Sequence, residues 1–196
     1  ASDNPTGEEG YEVICGADDA EDVLDTLINR GLNAAPFGYR TFESLTLEAG
    51  TPLFESEQQG RIPNTVGLRH GLDFEKGCYV GQELVSKVAN RGQPSSRLVG
   101  LRTDALVDAG ATVIAAGGDG DEIGEITRAV ESPSLAEPIA LAFVDFDAAL
   151  DGATVEPPSE DNEGVGADSE VVDLPFVTGS ADSLRLPTYP GGDEDP

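Results

Sequence analysis

The stretch EIGEITRAVESPSLAEPIALAFV, residues 122–144, decides the fold of the second half of this chain. It holds two apolar runs, Glu122 to Val130 and Pro138 to Val144, with serines and a proline between them. Short runs of this kind, bounded by turn-forming residues, are typical of β-strands. The stretch therefore predicts two strands separated by a turn.

Four more short apolar runs surround this stretch, and turn residues separate them. They are Leu98 to Leu101, Ala111 to Ala115, Ala153 to Glu156 and Glu170 to Val177. Because most of these runs have no helical stripe between them, they predict a small β-barrel or a sandwich. The glycines of Gly117 to Asp121 predict a hairpin turn, since a phosphate loop would need a following helix and a nearby lysine.

The first half of the chain mixes helical and strand patterns. Tyr11 to Cys15 has the alternating character of a short strand. Apolar residues between Asp18 and Ile28 recur at helical spacing, acids crowd the first turn and Gly31 follows the end. Thr41 to Ala49 predicts a second helix that stops at Gly50. This half is therefore predicted to be α+β.

A potentially reactive thiol lies between two glycines in an octet that comes before a third helical pattern. The octet is Lys76-Gly77-Cys78-Tyr79-Val80-Gly81-Gln82-Glu83. Residues 81–92 have helical spacing and end on a glycine, so Cys78 is expected just before a helix N-terminus. The helix dipole and Lys76 would favour the thiolate there. A buried cysteine that packs as a small apolar group is the competing interpretation.

The octet resembles the signature of the YgfZ-type folate-binding proteins, relatives of the glycine-cleavage T-protein (aminomethyltransferase). Other segments resemble T-protein motifs in the expected order: Pro5 to Glu12, Ser44 to Gly50, Gly124 to Thr127 and Leu174 to Phe176. The resemblance implies the C-terminal two-thirds of that fold. A ferredoxin-like α+β part is expected at 1–92, a small antiparallel β-barrel at 93–180 and a flexible tail at 181–196.

The resemblance also implies that the chain lacks the N-terminal portion of the family. That portion carries the acid assigned to aminomethyl transfer and one wall of the folate cavity. The chain is therefore expected to be a fragment or a naturally shortened member.

The same resemblance implies which residues form the site. Glu8 matches the glutamate that holds the pterin of tetrahydrofolate, and a carboxylate suits the aminopyrimidine edge because it accepts two hydrogen bonds. Without the family, Glu8 would be interpreted as an acid that caps a turn. The family's helix arginine is out of register, because Phe42 stands there, and Arg40 is a weaker candidate for a folate carboxylate. The full expected set is Cys78 and Lys76 as catalytic residues, and Glu8, Tyr11, Arg40, Tyr79, Gln82 and Glu83 as folate-binding residues.

Two functions follow from the resemblance, and a third that involves no catalysis remains. The first is a tetrahydrofolate-binding accessory protein that supports iron–sulfur cluster assembly or repair through Cys78, with iron–sulfur proteins as partners. The alternative is an aminomethyltransferase that passes a one-carbon unit to tetrahydrofolate, with a lipoyl carrier protein as partner. Cys78, Gln82 and Glu83 favour the YgfZ-type branch. A catalytically silent binding module is the third.

Composition indicates where the protein works. Asp and Glu number 38 against 11 Lys and Arg, a formal charge of -27. Such a surface repels itself unless salt screens it, which indicates a very salty cytosol, as in a halophilic archaeon. The charge argues against binding nucleic acid or an anionic membrane.

Two cysteines form no disulfide framework, which indicates a reducing, cytoplasmic location. Cys15 is expected to pack in the first strand, and His70 has no neighbour at metal-ligand spacing.

Overall fold

The computed structural model describes residues 3–32, 34–115, 121–148, 154–156 and 167–190. The α-helices are α1 (Ala20–Arg30), α2 (Tyr39–Glu48), α3 (Pro63–Val66) and α4 (Gln82–Arg91). The strands are β1 (Ser96–Thr103), β2 (Thr112–Ile114), β3 (Glu122–Ser132), β4 (Glu137–Asp145), β5 (Thr154–Glu156) and β6 (Ala167–Val172). The predicted mixed architecture of the chain as a whole is confirmed, with the α-helices first and all six strands after residue 95. Within 1–92, predicted to be a ferredoxin-like α+β part, the described residues form helices, and their only strand-like contact is a single bridge at Tyr11.

The strands form a closed antiparallel barrel in the order β1-β4-β3-β2-β5-β6. Strand β1 closes the barrel because it pairs with both β4 and β6. This confirms the barrel and excludes the sandwich. The register of β3 on β4 shifts between Ile126 and Arg128. The hairpin turn predicted at Gly117 to Asp121 falls mainly on residues 116–120, outside the described residues.

Strand β4 is buried on both faces, which explains its continuous apolar run. Ala140, Ala142 and Val144 belong to the cluster inside the barrel. The alternating residues Ile139, Leu141 and Phe143 join a second cluster, with Leu47 of α2 and Val66 of α3. Because successive side chains of a strand point to opposite faces, β4 is shared by both cores. The helical part is thereby fixed on the outside of the barrel.

Most apolar side chains among the described residues of 11–40 are exposed. The apolar stripe of α1 forms as predicted, but none of its residues is buried, and Leu24 and Leu27 are about half exposed. The strand predicted at Tyr11 to Cys15 does not form beyond a single bridge at Tyr11. A strand needs a hydrogen-bonding neighbour, and the described part of the chain supplies none to Val13, Ile14 or Cys15.

The residues before the C-terminus pack against the rest of the molecule, where a flexible tail was expected from residue 181. Tyr189 donates its hydroxyl proton to the Thr65 carbonyl (2.8 Å), and the hydroxyl oxygen accepts the Leu98 N–H (2.7 Å). Arg185 pairs with Asp3 at 2.8 Å. Polar, proline-rich composition indicated a frayed end, but these long-range bonds hold residues 181–190. Residues 191–196 lie outside the described part.

No helix in the described part of the chain combines the length and the apolar character that spanning a membrane requires.

Candidate functional site

The first six residues of the octet form an irregular, exposed loop, and its last two, Gln82 and Glu83, begin α4. Gly81 caps the helix with a φ of 92°, a left-handed conformation that favours glycine. Asp73 fixes the start of the loop, because its Oδ1 accepts the backbone N–H groups of Glu75 and Lys76. Cys78 is exposed, so it does not pack as a buried apolar group. Helix α4 starts at Gln82, and the thiol therefore lies four residues before it.

Two clefts meet at Tyr79. The first, the lysine-76 cleft, has a volume of about 390 Å³ and includes Arg61, Lys76 and Tyr79 in its lining. The second, the lysine-87 cleft, has a volume of about 570 Å³ and is lined by Tyr79, Gly81, Gln82, Glu83, Leu84 and Lys87. The Lys76 ammonium lies 5.5 Å from the centroid of the Tyr79 ring. The fold thus brings four of the expected residues together here: Lys76, Tyr79, Gln82 and Glu83.

Glu8 lies in a turn that the C-terminal segment holds. Gly7 is buried with a φ of 73°, and a Cβ at this position would lie only 3.2 Å from the Ala49 Cβ at the end of α2. The Ala181 N–H donates to the Gly7 carbonyl (3.2 Å), and Gly179 approaches the same carbonyl so closely that no Cβ would fit. Ser180 donates its hydroxyl proton to Oε2 of Glu8. The carboxylate remains exposed, so it is both positioned and accessible.

Tyr11 and Arg40 are less well positioned. The Tyr11 hydroxyl donates to Oε1 of Glu9 at 2.7 Å, and this hydrogen bond raises the pKa of Tyr11. Arg40 is exposed in the first turn of α2. Among the described residues, no hydrogen bond or ion pair joins Arg40 to Glu8 or to the octet. The structure therefore gives Arg40 no specific support as a folate ligand.

A buried polar network connects the helical part to the barrel, and sequence reasoning missed it. Arg128 of β3 donates to Oε1 of Glu57 (3.0 Å), to Oγ1 of Thr46 (3.1 Å) and to the Thr51 carbonyl (2.8 Å). The other Glu57 oxygen accepts the Leu53 N–H at 2.7 Å. The sequence signal was a lone arginine in the run Glu122 to Val130. Its position next to the register shift in β3 is not readable from the sequence.

A second buried carboxylate performs a similar task. Glu48, at the end of α2, accepts the hydroxyl protons of Ser132 (2.5 Å) and Ser134 (2.9 Å) and the backbone N–H of Ser134 (3.1 Å). Ser132 is the last residue of β3, and Ser134 lies in the turn between β3 and β4. The glutamate of the Leu-Glu-Ala-Gly motif is therefore a structural anchor.

The other expected roles change or stay open. Cys15 was expected to pack, but it is exposed, because the strand that would bury it does not form. His70 is exposed. Within the described residues, no group of three or more His, Cys, Asp or Glu side chains is arranged to hold a metal ion.

A third cavity of about 440 Å³ lies between α3, α4 and residues 188–190, and Asn64 and Ser86 line it.

Comparison with known proteins adds family evidence to this geometry. Residues 97–178 match the glycine cleavage T-protein C-terminal barrel domain. An aminomethyltransferase of Saccharopolyspora erythraea is 36% identical over 183 residues, which cover 90% of this chain and 48% of that protein. A probable aminomethyltransferase of Halobacterium salinarum is 35% identical over 156 residues, which cover 76% of this chain and 40% of that protein.

The fold has a solved counterpart. The crystal structure of glycine cleavage system aminomethyltransferase T from Bartonella henselae matches 91% of this chain with a TM-score of 0.74. Its sequence identity is 24%, and the match covers 49% of that chain. This chain spans about half the length of the curated relatives described above. The relatives carry the aminomethyltransferase name, and the narrower YgfZ-type assignment remains a prediction. The barrel domain and the relatives together support membership of the glycine-cleavage T-protein superfamily.

Proposed function

We propose that this chain binds tetrahydrofolate as part of an aminomethyltransferase of the T-protein type. The proposal rests on the way Ser180 positions Glu8. Ser180 holds one carboxylate oxygen, and the side chain stays exposed. Within the described residues, no hydrogen bond occupies the other oxygen. A fixed, accessible carboxylate suits the two N–H donors along the aminopyrimidine edge of a pterin.

Such an enzyme depends more on holding its two substrates in the right orientation than on a nucleophilic side chain. The methylene carbon leaves the sulfur of an aminomethylated lipoyl carrier and becomes bonded to two nitrogens of tetrahydrofolate. The amino nitrogen leaves as ammonia, the lipoyl sulfur regains a proton, and the two folate nitrogens give up one proton each. Holding the pterin in one orientation is therefore a large part of catalysis. Glu8 and Ser180 supply that orientation in this proposal.

The exposed apolar side chains of the first 40 residues support a site that extends beyond this chain. Ile14 is 86% exposed, and Leu24 and Leu27 are about half exposed. Burying such side chains contributes about 1.5–3 kcal/mol each. The relatives carry about as much chain again outside the matched region. We expect an equivalent of that part to cover this face and to supply the second wall of the folate cavity and the acid for transfer.

The test is calorimetric titration of tetrahydrofolate in molar salt. Glu8→Gln should weaken binding by roughly tenfold or more, because a hydrogen bond to a charged group contributes about 1.5–3 kcal/mol. Glu9→Gln is the matched control, since it removes the same charge from the neighbouring residue, whose carboxylate accepts the Tyr11 hydroxyl. Equal affinities for wild type and Glu8→Gln would contradict the proposal.

One observation favours the accessory function in iron–sulfur cluster maintenance as a second candidate. Cys78 is exposed in a loop that Asp73 fixes, with the Lys76 ammonium on the adjacent Tyr79 ring. A transferase of the T-protein type has no need of this thiol. Cys78→Ser should therefore leave one-carbon transfer intact if the first proposal is right. Loss of an iron–sulfur enzyme activity in cells that carry Cys78→Ser, with folate affinity unchanged, would favour the accessory role.

A further inference from the structure

Positive charge in this acidic chain is concentrated in one segment. Residues 61–97 contain six of the 11 basic residues and three of the 38 acidic ones, a formal charge of +3. The remaining residues contain five basic and 35 acidic side chains, a formal charge of -30. The three cavities described above are lined almost entirely by residues 61–94. The segment that provides the clefts is therefore also the segment that can attract an anion.

The two lysines of the chain, Lys76 and Lys87, both line clefts at the same tyrosine. Tyr79, Gly81 and Leu84 line both clefts, so the lysines flank a shared surface of one aromatic ring and one apolar side chain. Neither lysine forms an ion pair with another described residue. Each cleft also has one acid: Asp73 lies in the lysine-76 cleft and Glu83 in the lysine-87 cleft.

Arg61 adds a further cation to the lysine-76 cleft. Its guanidinium lies 4.2 Å from the centroid of the Phe143 ring and donates to the Ser56 carbonyl at 3.3 Å. It is thus held at the cleft wall. Neither ammonium group is held by an ion pair to a described residue, and that of Lys76 lies beside the Tyr79 ring. In molar salt the screening length is only about 3 Å, so a ligand anion must be in direct contact to gain from these charges. Clefts provide such contact and an open surface does not.

We propose that the surface around Tyr79 binds the benzoyl-glutamate end of a folate. The benzoyl ring packs on Tyr79 and Leu84, and the glutamate carboxylates pair with Lys76 and Lys87. The identity of the ligand rests on the proposed folate function, whereas the ligand class, an aromatic ring with carboxylates, rests on the clefts alone. A folate with a longer glutamyl chain gains further contacts with the positive segment.

The test uses p-aminobenzoylglutamate, which has the ring and the carboxylates but lacks the pterin. Titration into the 15N-labelled full chain in molar potassium chloride, followed by NMR, gives affinity and location together. Amide shifts are expected at residues 76–87. Lys76→Gln and Lys87→Gln should each weaken binding about fivefold, which is the upper end of what an exposed ion pair contributes. Arg30→Gln, which removes an exposed cation of α1 outside the clefts, should leave the affinity unchanged.

Two further comparisons isolate the ligand class and the site. Tyr79→Leu should weaken binding of the probe, while Tyr39→Leu, at a tyrosine that is 89% exposed, should not. p-Aminobenzoate, without the glutamate, should bind more weakly than the probe. Inorganic phosphate that displaced the probe at equal concentration would overturn the aromatic–carboxylate class.

The outcome separates this inference from the proposed function. Glu8→Gln should leave the affinity for the probe unchanged, because the probe has no pterin. Equal affinities for the probe and for tetrahydrofolate would support the clefts and count against the role of Glu8, because the pterin would then add nothing to binding. No shifts up to the solubility limit of the probe, or equal losses in Arg30→Gln and the lysine variants, would overturn the inference.

Discussion

Arg128 shows at the scale of a single residue how the barrel holds the helical part. Its side chain is 10% exposed, and that of its partner Glu57 is 0% exposed. Truncation to alanine would leave a buried carboxylate without its cation. Breaking a buried pair in this way costs about 3–5 kcal/mol. Arg128→Ala should therefore lower the free energy of unfolding by that amount, as measured by urea denaturation in molar salt.

Arg102→Ala is the matched control for this prediction. Arg102 pairs with Glu137 on the surface, with side chains 42% and 38% exposed. Exposed pairs of this kind contribute about 0–1 kcal/mol. Similar losses for the two variants would contradict the view that the Arg128 network anchors the helical part.

Residue identities in the octet could be predicted from sequence, whereas their surroundings could not. The glycine stop of α4 and the grouping of Tyr79, Gln82 and Glu83 follow from local spacing. The contact of Ser180 with Glu8 joins residues 172 positions apart, and no local pattern encodes it. The same holds for Arg128, whose donors reach Thr46, Thr51 and Glu57. Long-range polar contacts depend on how elements pack, which periodicity does not specify.

At the scale of whole elements, the packing of the C-terminal segment against β1 and α3 depends on Tyr189. Its hydroxyl satisfies the buried Leu98 N–H and the Thr65 carbonyl, so it connects β1 to α3. Tyr189→Phe would leave both groups without that partner. A buried group that loses its hydrogen bond costs about 1–3 kcal/mol, and the free energy of unfolding at pH 8 should fall by this amount.

The pH dependence of this variant supplies an independent check. Burial raises the pKa of Tyr189 well above its usual value of 10. The unfolded chain therefore releases the phenolic proton first, and the contribution of Tyr189 to stability, complete below pH 10, is lost as the pH rises above it. The difference between wild type and Tyr189→Phe in urea denaturation should shrink from pH 9 to pH 11. A constant difference would contradict a buried hydroxyl.

Elements in the barrel could be predicted better than elements near the N-terminus. Five of the six apolar runs correspond to strands, and each strand finds two neighbours within the chain. The sixth run, Glu170 to Val177, overlaps β6 (Ala167–Val172) only at its first three residues. Helix α1 also forms where its pattern indicates, between Ala20 and Arg30. The Tyr11 to Cys15 strand does not form, since its pattern is right but its partner is not in the described part. A strand pattern predicts the capacity to pair and does not supply the neighbour.

Charge acts at the scale of the whole molecule. A formal charge of -27 on 196 residues should make the fold depend on salt. Removing salt extends the screening length from about 3 Å in molar solution to about 30 Å at 0.01 M, so that repulsion acts across the molecule. The far-ultraviolet circular dichroism signal should therefore fall on dialysis from molar to millimolar salt and recover on return. A signal that is unchanged would contradict the halophilic interpretation of the composition.

Hydrogen–deuterium exchange of the chain in molar salt, with and without tetrahydrofolate, locates the bound folate. Slower exchange on ligand addition is expected at residues 5–11 and 178–182, where Ser180 holds Glu8, and at the Tyr79 clefts. The barrel strands that do not contact the helical part should exchange at the same rate with and without tetrahydrofolate. Binding without any change at residues 5–11 and 178–182 would show that the folate lies elsewhere and would contradict the proposed role of Glu8.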